Sequence, residues 1–159
     1  MGKNKILFVC TGNTCRSSMA EALFKDMLTN YQVNYHVSSA GLAAVEGQRA
    51  AHQAIEVMKE ENIDLTDHKT SLLTEDLVEE FDLILTMTER HKLAIIDRYA
   101  KAKEKVYTLK EYAARVEEIE KETELIEEIY QKIDNKRADF LEEHGAELEK
   151  LKQKRRRMI

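Results

Sequence analysis

Cys10 and Arg16 stand with five residues between them in the run Cys10-Thr-Gly-Asn-Thr-Cys-Arg16, and Ser17 follows directly. The run comes after an apolar stretch and before a helical pattern, so it is the turn between a strand and a helix. Ligands of open parallel sheets bind beyond the carboxyl ends of strands, at such a turn. There the loop N–H groups and the positive end of the helix converge on one concavity, which favours a doubly charged anion such as a phosphoryl group. Arg16 adds a bidentate fork to two oxygens that Lys could not reproduce. A thiol on the floor of so positive a nest favours its thiolate. Cys10 then reads as a nucleophile aimed at phosphorus, and Ser17 as a donor that stabilises the sulfur when it leaves.

Thr11, Gly12, Asn13, Thr14 and Cys15 complete the phosphate-binding loop. Gly12 is expected to turn it with φ > 0, while Asn13 tolerates the same conformation and ties the loop down with its amide. Cys15 is close enough in sequence to reach Cys10 on oxidation, the arrangement of a reversible redox pair. No Gly-Lys-Ser/Thr follows, so a Walker loop is excluded, and a Gly-x-Gly-x-x-Gly is absent too. Two cysteines make no disulfide framework, and a metal site needs more ligands than this segment offers. Neither a metal nor a cofactor is expected.

The elements that must hold this loop alternate. Lys5 to Val9 reads as a buried strand, and Ser17 to Asn30 as a helix with Met19, Leu23, Met27 and Ala20, Phe24, Leu28 at helical spacing. Asn34 to Ser39 is a second strand closed by Ala40-Gly41, and Gln48 to Asn62 a second helix. A short helical piece at Thr74 to Glu80 precedes a strand at Asp82 to Met87. A helix over Thr88 to Tyr99 and a strand at Lys105 to Thr108 complete the series. Strand and helix in alternation predict an α/β fold, a parallel sheet covered on both faces. From Glu111 the texture changes to a charged amphipathic helix with Val116, Ile119, Ile126, Ile129 and Ile133 on it. Whether it runs whole or is interrupted near Asp134-Asn135 or His144-Gly145 is left open by the pattern. A single domain over 1–159 is expected, with an α/β core at 1–113 and a charged helical segment at 114–159.

Composition sets the setting. With 43% hydrophobic and 35% charged residues the chain reads as soluble and globular. No apolar run approaches a bilayer span, and MGKNKILFVC is too short in its apolar part for a secretory signal, so the cytoplasm is expected and a membrane is not. The net charge of −5 argues against a nucleic-acid partner, and the basic LKQKRRRMI reads as a solvated tail. His36, His52, His68, His91 and His144 show no ligand spacing and read as surface or loop histidines.

The stretch VCTGNTCRS with MAEALF after it resembles the low-molecular-weight protein tyrosine phosphatase family. The likeness continues through VSSAGL at 37–42, LTEDLVEEFDLILTMTERHK at 73–92 and VYTLKEYA at 106–113, about two thirds of the chain. It implies a three-layer sandwich around a four-stranded parallel sheet, and a two-step hydrolysis through a cysteinyl-phosphate. Carried over, Cys10 is the nucleophile, Arg16 binds the phosphoryl group, and Asn13, Ser17 and Ser39 hold the loop. Thr14 resembles the bacterial protein arginine phosphatases, where threonine replaces the isoleucine of tyrosine-specific members. A phosphorylated protein side chain is the implied substrate, arginine ahead of tyrosine.

The sequence departs from the family where an Asp-Pro motif should supply the general acid, because it has no proline at all. A helix is expected in place of that loop, with Glu120, Glu122 or Asp134 as the candidate acid/base. General acid–base catalysis contributes about 10²–10⁴-fold, so its loss leaves a slow enzyme with an intact nucleophile. The competing readings are a phosphate-binding interaction module and an arsenate reductase. The latter needs cysteines beyond Cys10 and Cys15, and the chain has none.

Overall fold

In the computed structural model residues 5–156 are described. Their order is β1 (Lys5–Cys10), α1 (Arg16–Tyr31), β2 (His36–Gly41), α2 (His52–Glu60), α3 (Glu75–Glu80), β3 (Leu83–Thr86), α4 (Glu89–Arg98), a 3-10 turn (Ala100–Lys105), β4 (Val106–Thr108) and α5 (Leu109–Arg156). The four strands pair in the order β2-β1-β3-β4, and every pairing is parallel. From β1 the chain first moves to one side of the sheet and then crosses to the other. The switch point therefore falls at the carboxyl end of β1, where Cys10 is the last residue.

Ile6 through Cys10 are all buried, as a central strand covered on both faces requires. Leu7 and Val9 face one layer with Ile84, Val106 and residues of α3 and α4 such as Val78 and Ile95. Ile6, Phe8 and Leu85 face the other, against Ala20, Phe24 and Leu28 of α1. Phe8 and Phe24 meet edge to face with ring centroids 5.8 Å apart. Burying one such side chain stabilises the fold by about 1.5–3 kcal/mol. These contacts are what fix β1 and α1, and so both ends of the cysteine loop.

Only one of the two stripes on α1 covers the sheet. Leu23 and Met27 are exposed, while Met19 packs with Ala54 and Met58 of α2. The second helix begins at His52 rather than Gln48. The Gln48 N–H is held by the Thr70 hydroxyl at 2.8 Å, the Gln48 carbonyl by the Thr70 N–H at 2.8 Å, and the Ala51 N–H by the Thr14 carbonyl at 2.7 Å. Those bonds keep residues 48–51 extended along the loop.

The chain divides into two compact units, Met1–Ala113 and Ala114–Ile159. The first holds the sheet and the cysteine loop. The second is the remainder of α5, which runs without a break past Asp134-Asn135 and His144-Gly145. Gly145 costs only about 1 kcal/mol in a helix, no proline interrupts, and the Glu, Lys and Leu around it are strong helix formers. Val116, Ile119, Ile126, Ile129 and Ile133 are exposed on it. The end of the basic tail lies outside the described residues.

Candidate functional site

The loop from Cys10 to Arg16 owes its shape to where its carbonyls go. The Cys10 carbonyl accepts from the Leu42 N–H at 3.0 Å, that of Thr11 from Ala43 at 2.9 Å, and that of Thr14 from Ala51 at 2.7 Å. The Asn13 carbonyl accepts from His68 Nε2 at 2.8 Å, which places the His68 proton on that nitrogen. With the carbonyls turned out to the scaffold, the N–H groups of Thr11, Gly12, Thr14, Cys15 and Arg16 find no protein acceptor among the described residues. A concave ring of N–H groups beside a guanidinium is the kind of arrangement by which proteins bind anions.

Asn13 is the residue on which the loop turns. It is fully buried and carries φ 58°, in the left-handed region. Gly12 does not have the positive φ expected of it, so the sharp turn belongs to Asn13 alone. Asn is one of the few residues that visit this region at low cost. Its Oδ1 accepts from the Ser71 N–H at 2.9 Å, which fixes the orientation of the amide. Its Nδ2 then donates to Ser17 Oγ at 2.9 Å and to Ser39 Oγ at 2.8 Å. Ser39 passes its own proton on to Glu21 Oε2 at 2.5 Å, and Glu21 is paired with Lys25.

These donations set the direction at the sulfur. Both Asn13 amide protons are used, so the Ser17 hydroxyl accepts one and has its own proton to give, with Cys10 Sγ at 3.0 Å as the nearer acceptor and the Ala40 carbonyl at 3.4 Å as the other. The Asn13 N–H points at the same sulfur at 3.3 Å. Cys10 is 2% exposed at the floor of the loop. The Ser17 hydroxyl and the Asn13 N–H thus both lie within hydrogen-bonding reach of one buried sulfur. Cys15 is half-buried, its thiol is free, and it faces Met19 Sδ at 3.8 Å.

At the rim, Arg16 Nη2 reaches Thr11 Oγ1 at 3.5 Å, and His91 Nε2 meets the same hydroxyl at 2.9 Å. His91 is 6% exposed and its Nδ1 is buried with no partner among the described residues, so the proton belongs on Nε2, donated to Thr11. Burial, and then the positive charges of Arg16 and Arg90, hold its imidazole below the usual histidine range. The sequence reading of His91 as a surface or loop histidine is therefore corrected, since it is buried in α4, while His68 is a loop histidine as expected; both brace the cysteine loop. They stand 55 and 80 residues from their partners, and no local spacing announces them. Glu21 had a signal, four residues after Ser17 on the same face of α1.

Gly41, the last residue of β2, approaches the loop closely. A Cβ there would lie 2.6 Å from the Thr11 carbonyl oxygen and 2.9 Å from the Asn13 nitrogen. Tyr107 and Tyr112 pack on each other with centroids 5.6 Å apart and join the cluster under α1. Glu120 and Glu122 are exposed on α5, in the second unit, and the Asp134 side chain lies outside the described residues. The structure thus brings Cys10, Asn13, Ser17 and Ser39 into one bonded set and Thr11, Arg16 and His91 into another.

Comparison with known proteins agrees with this geometry. The profile of the low molecular weight phosphotyrosine protein phosphatases matches residues 5–156. A protein-arginine-phosphatase of Bacillus subtilis is 49% identical over 107 residues, 67% of this chain and 71% of the relative. The low molecular weight protein-tyrosine-phosphatase PtpB of Staphylococcus haemolyticus is 38% identical over 115 residues, 72% of this chain and 78% of its own. The crystal structure of a YwlE mutant from Bacillus subtilis superposes with a TM-score of 0.66 at 47% identity, covering 68% of this chain and 72% of that one. The cysteine loop at the switch point of a β2-β1-β3-β4 sheet and the profile match together place this chain in the low molecular weight phosphotyrosine protein phosphatase family.

Proposed function

We propose that this chain is a cysteine-dependent protein phosphatase. The observation that carries the reading is the Cys10 sulfur, approached by Ser17 Oγ at 3.0 Å and the Asn13 N–H at 3.3 Å beneath a ring of free loop N–H groups. In the first step the Cys10 thiolate attacks phosphorus, the S–P bond forms, and the bond to the leaving side chain breaks as that side chain takes a proton. Arg16 and the loop N–H groups hold the three phosphoryl oxygens throughout. In the second step water attacks phosphorus, loses a proton and expels the thiolate, which Ser17 stabilises. Free thiols at Cys10 and Cys15 suit a reducing compartment, the cytoplasm, and one phosphatase-like domain.

Phosphoarginine is the favoured substrate. The Thr14 hydroxyl is half-buried with no protein partner among the described residues, so it is available to a guanidinium. The leaving guanidine is basic and takes its proton readily, which softens the loss of the Asp-Pro acid. Phosphotyrosine, whose leaving oxygen needs that proton donor more, comes second. Glu120, Glu122 or Asp134 would serve as acid/base on the sequence reading alone. The absence of any proline favours a second reading, a phosphate-binding module without turnover.

Single-turnover and steady-state kinetics of the wild type, Cys10→Ser, Glu120→Gln and Glu122→Gln on phosphoarginine and phosphotyrosine peptides separate the two. A phosphoenzyme burst lost in Cys10→Ser, larger on phosphoarginine, is the expected result. No burst on either peptide, with vanadate still bound at the loop, would leave the binding module.

A further inference from the structure

Next to the phosphate loop, sharing Thr11 and Arg16 with it, lies a cavity of about 450 Å³. Its charged lining is Arg16 and Arg90, joined by the His91 ring, with Leu42 and Ala94 as its apolar part. No carboxylate lines it among the described residues. Glu89, the acid next to Arg90 in sequence, turns instead to Lys92 at 3.9 Å. Arg90 is exposed and makes no ion pair among the described residues. It stands in the first turn of α4, where the helix's own positive end adds to its charge.

Two guanidiniums around one concavity with no counter-charge repel each other, and an anion placed between them removes that repulsion. Arg16 is committed to the phosphoryl group on the reading above, which leaves Arg90 for a second anion. We propose that this cavity is a subsite for an anionic side chain of the substrate protein, close in sequence to the phosphorylated residue and bound chiefly by Arg90. The proposal rests on the phosphatase reading and makes the enzyme selective for acidic surroundings of its target.

The test compares phosphoarginine peptides that carry Asp, Ser, phosphoserine or Lys beside the phosphorylated residue, with wild type and Arg90→Gln. Binding is measured on the Cys10→Ser background, so that it is read whether or not turnover occurs, and KM and kcat on the active chain. Arg90→Gln is expected to weaken the Asp peptide about fivefold at low salt, the scale of one exposed charge pair, with kcat and the Ser peptide unchanged. Added salt should erase the difference. A preference shared by the Asp and phosphoserine peptides assigns the subsite to anions in general, and one confined to phosphoserine assigns it to a second phosphoryl group. Equal binding of the Asp, phosphoserine, Ser and Lys peptides, or a preference that survives Arg90→Gln, overturns the proposal. Failure of phosphoryl binding itself would show as loss of all four peptides, a separate result.

Discussion

Replacing Asn13 probes the loop at the point where conformation and hydrogen bonding are loaded on one side chain. Asn13→Ala deletes three bonds, to Ser17, Ser39 and the Ser71 N–H, at 2.8–2.9 Å in a fully buried position. At about 1 kcal/mol each these sum to about 3 kcal/mol, and the orphaned Ser71 N–H adds about 1 more. Alanine must also hold φ 58°, which costs roughly 1–2 kcal/mol. Asn13→Ala should therefore lose about 5–6 kcal/mol, a large part of the stability of a domain this size. Asn13→Gly loses the same bonds without the left-handed cost, offset by about 0.5–1 kcal/mol of greater unfolded-state freedom, so it should be the milder change by about 0.5–1 kcal/mol. Urea unfolding of the three proteins measures both differences. In both variants Ser17 loses the bond that directs its proton to Cys10, so the phosphoenzyme burst should slow at least about tenfold even where the fold survives. A loss below about 1 kcal/mol for Asn13→Ala, or equal losses for Ala and Gly, would refute the assignment of the turn to this residue.

Two other changes test the frame around the loop. Gly41→Ala would push a methyl to 2.6 Å from the Thr11 carbonyl and 2.9 Å from the Asn13 nitrogen, both backbone, so the loop must shift. It should cost about 1–3 kcal/mol in denaturant unfolding and weaken vanadate binding, and unchanged vanadate affinity would contradict the close packing. His91, held below histidine's ordinary value of about 6.5 by burial and by Arg16 and Arg90, takes a proton more readily unfolded than folded. Its contribution to stability is therefore complete above about pH 6.5 and lost as pH falls toward the folded-state value. His91→Gln, which keeps a donor to Thr11, should lose less stability between about pH 7.5 and pH 5 than the wild type, and equal losses would count against the assignment.

The sheet was legible because its strands are short apolar runs with turn residues at their ends, and β1 at Lys5–Cys10 needed no distant information. The loop chemistry was legible for the same reason: Cys10, Asn13, Arg16 and Ser17 lie within one turn and the start of one helix, and their types and spacing already limit what they can do. The sequence misjudged what depends on competition between near-equal local states. Gly12 and Asn13 can both adopt positive φ, and the bonds from Asn13 to Ser71, Ser39 and Ser17 decide between them. The charged C-terminal segment posed a similar choice, because one Gly without a Pro is too small a penalty to break α5.

By itself, then, the sequence determined an α/β chain with a cysteine- and arginine-bearing loop between its first strand and first helix, since those follow from period, residue type and local spacing. Only the tertiary structure decided that Glu21 anchors Ser39, that His68 and His91 brace the loop, that Gly41 leaves room for it, and that Arg90 shares a cavity with Arg16. Those pairs are brought together by the crossing of β1, β2 and β3 and by α4, and contacts made across the fold leave no periodic trace in the chain that makes them.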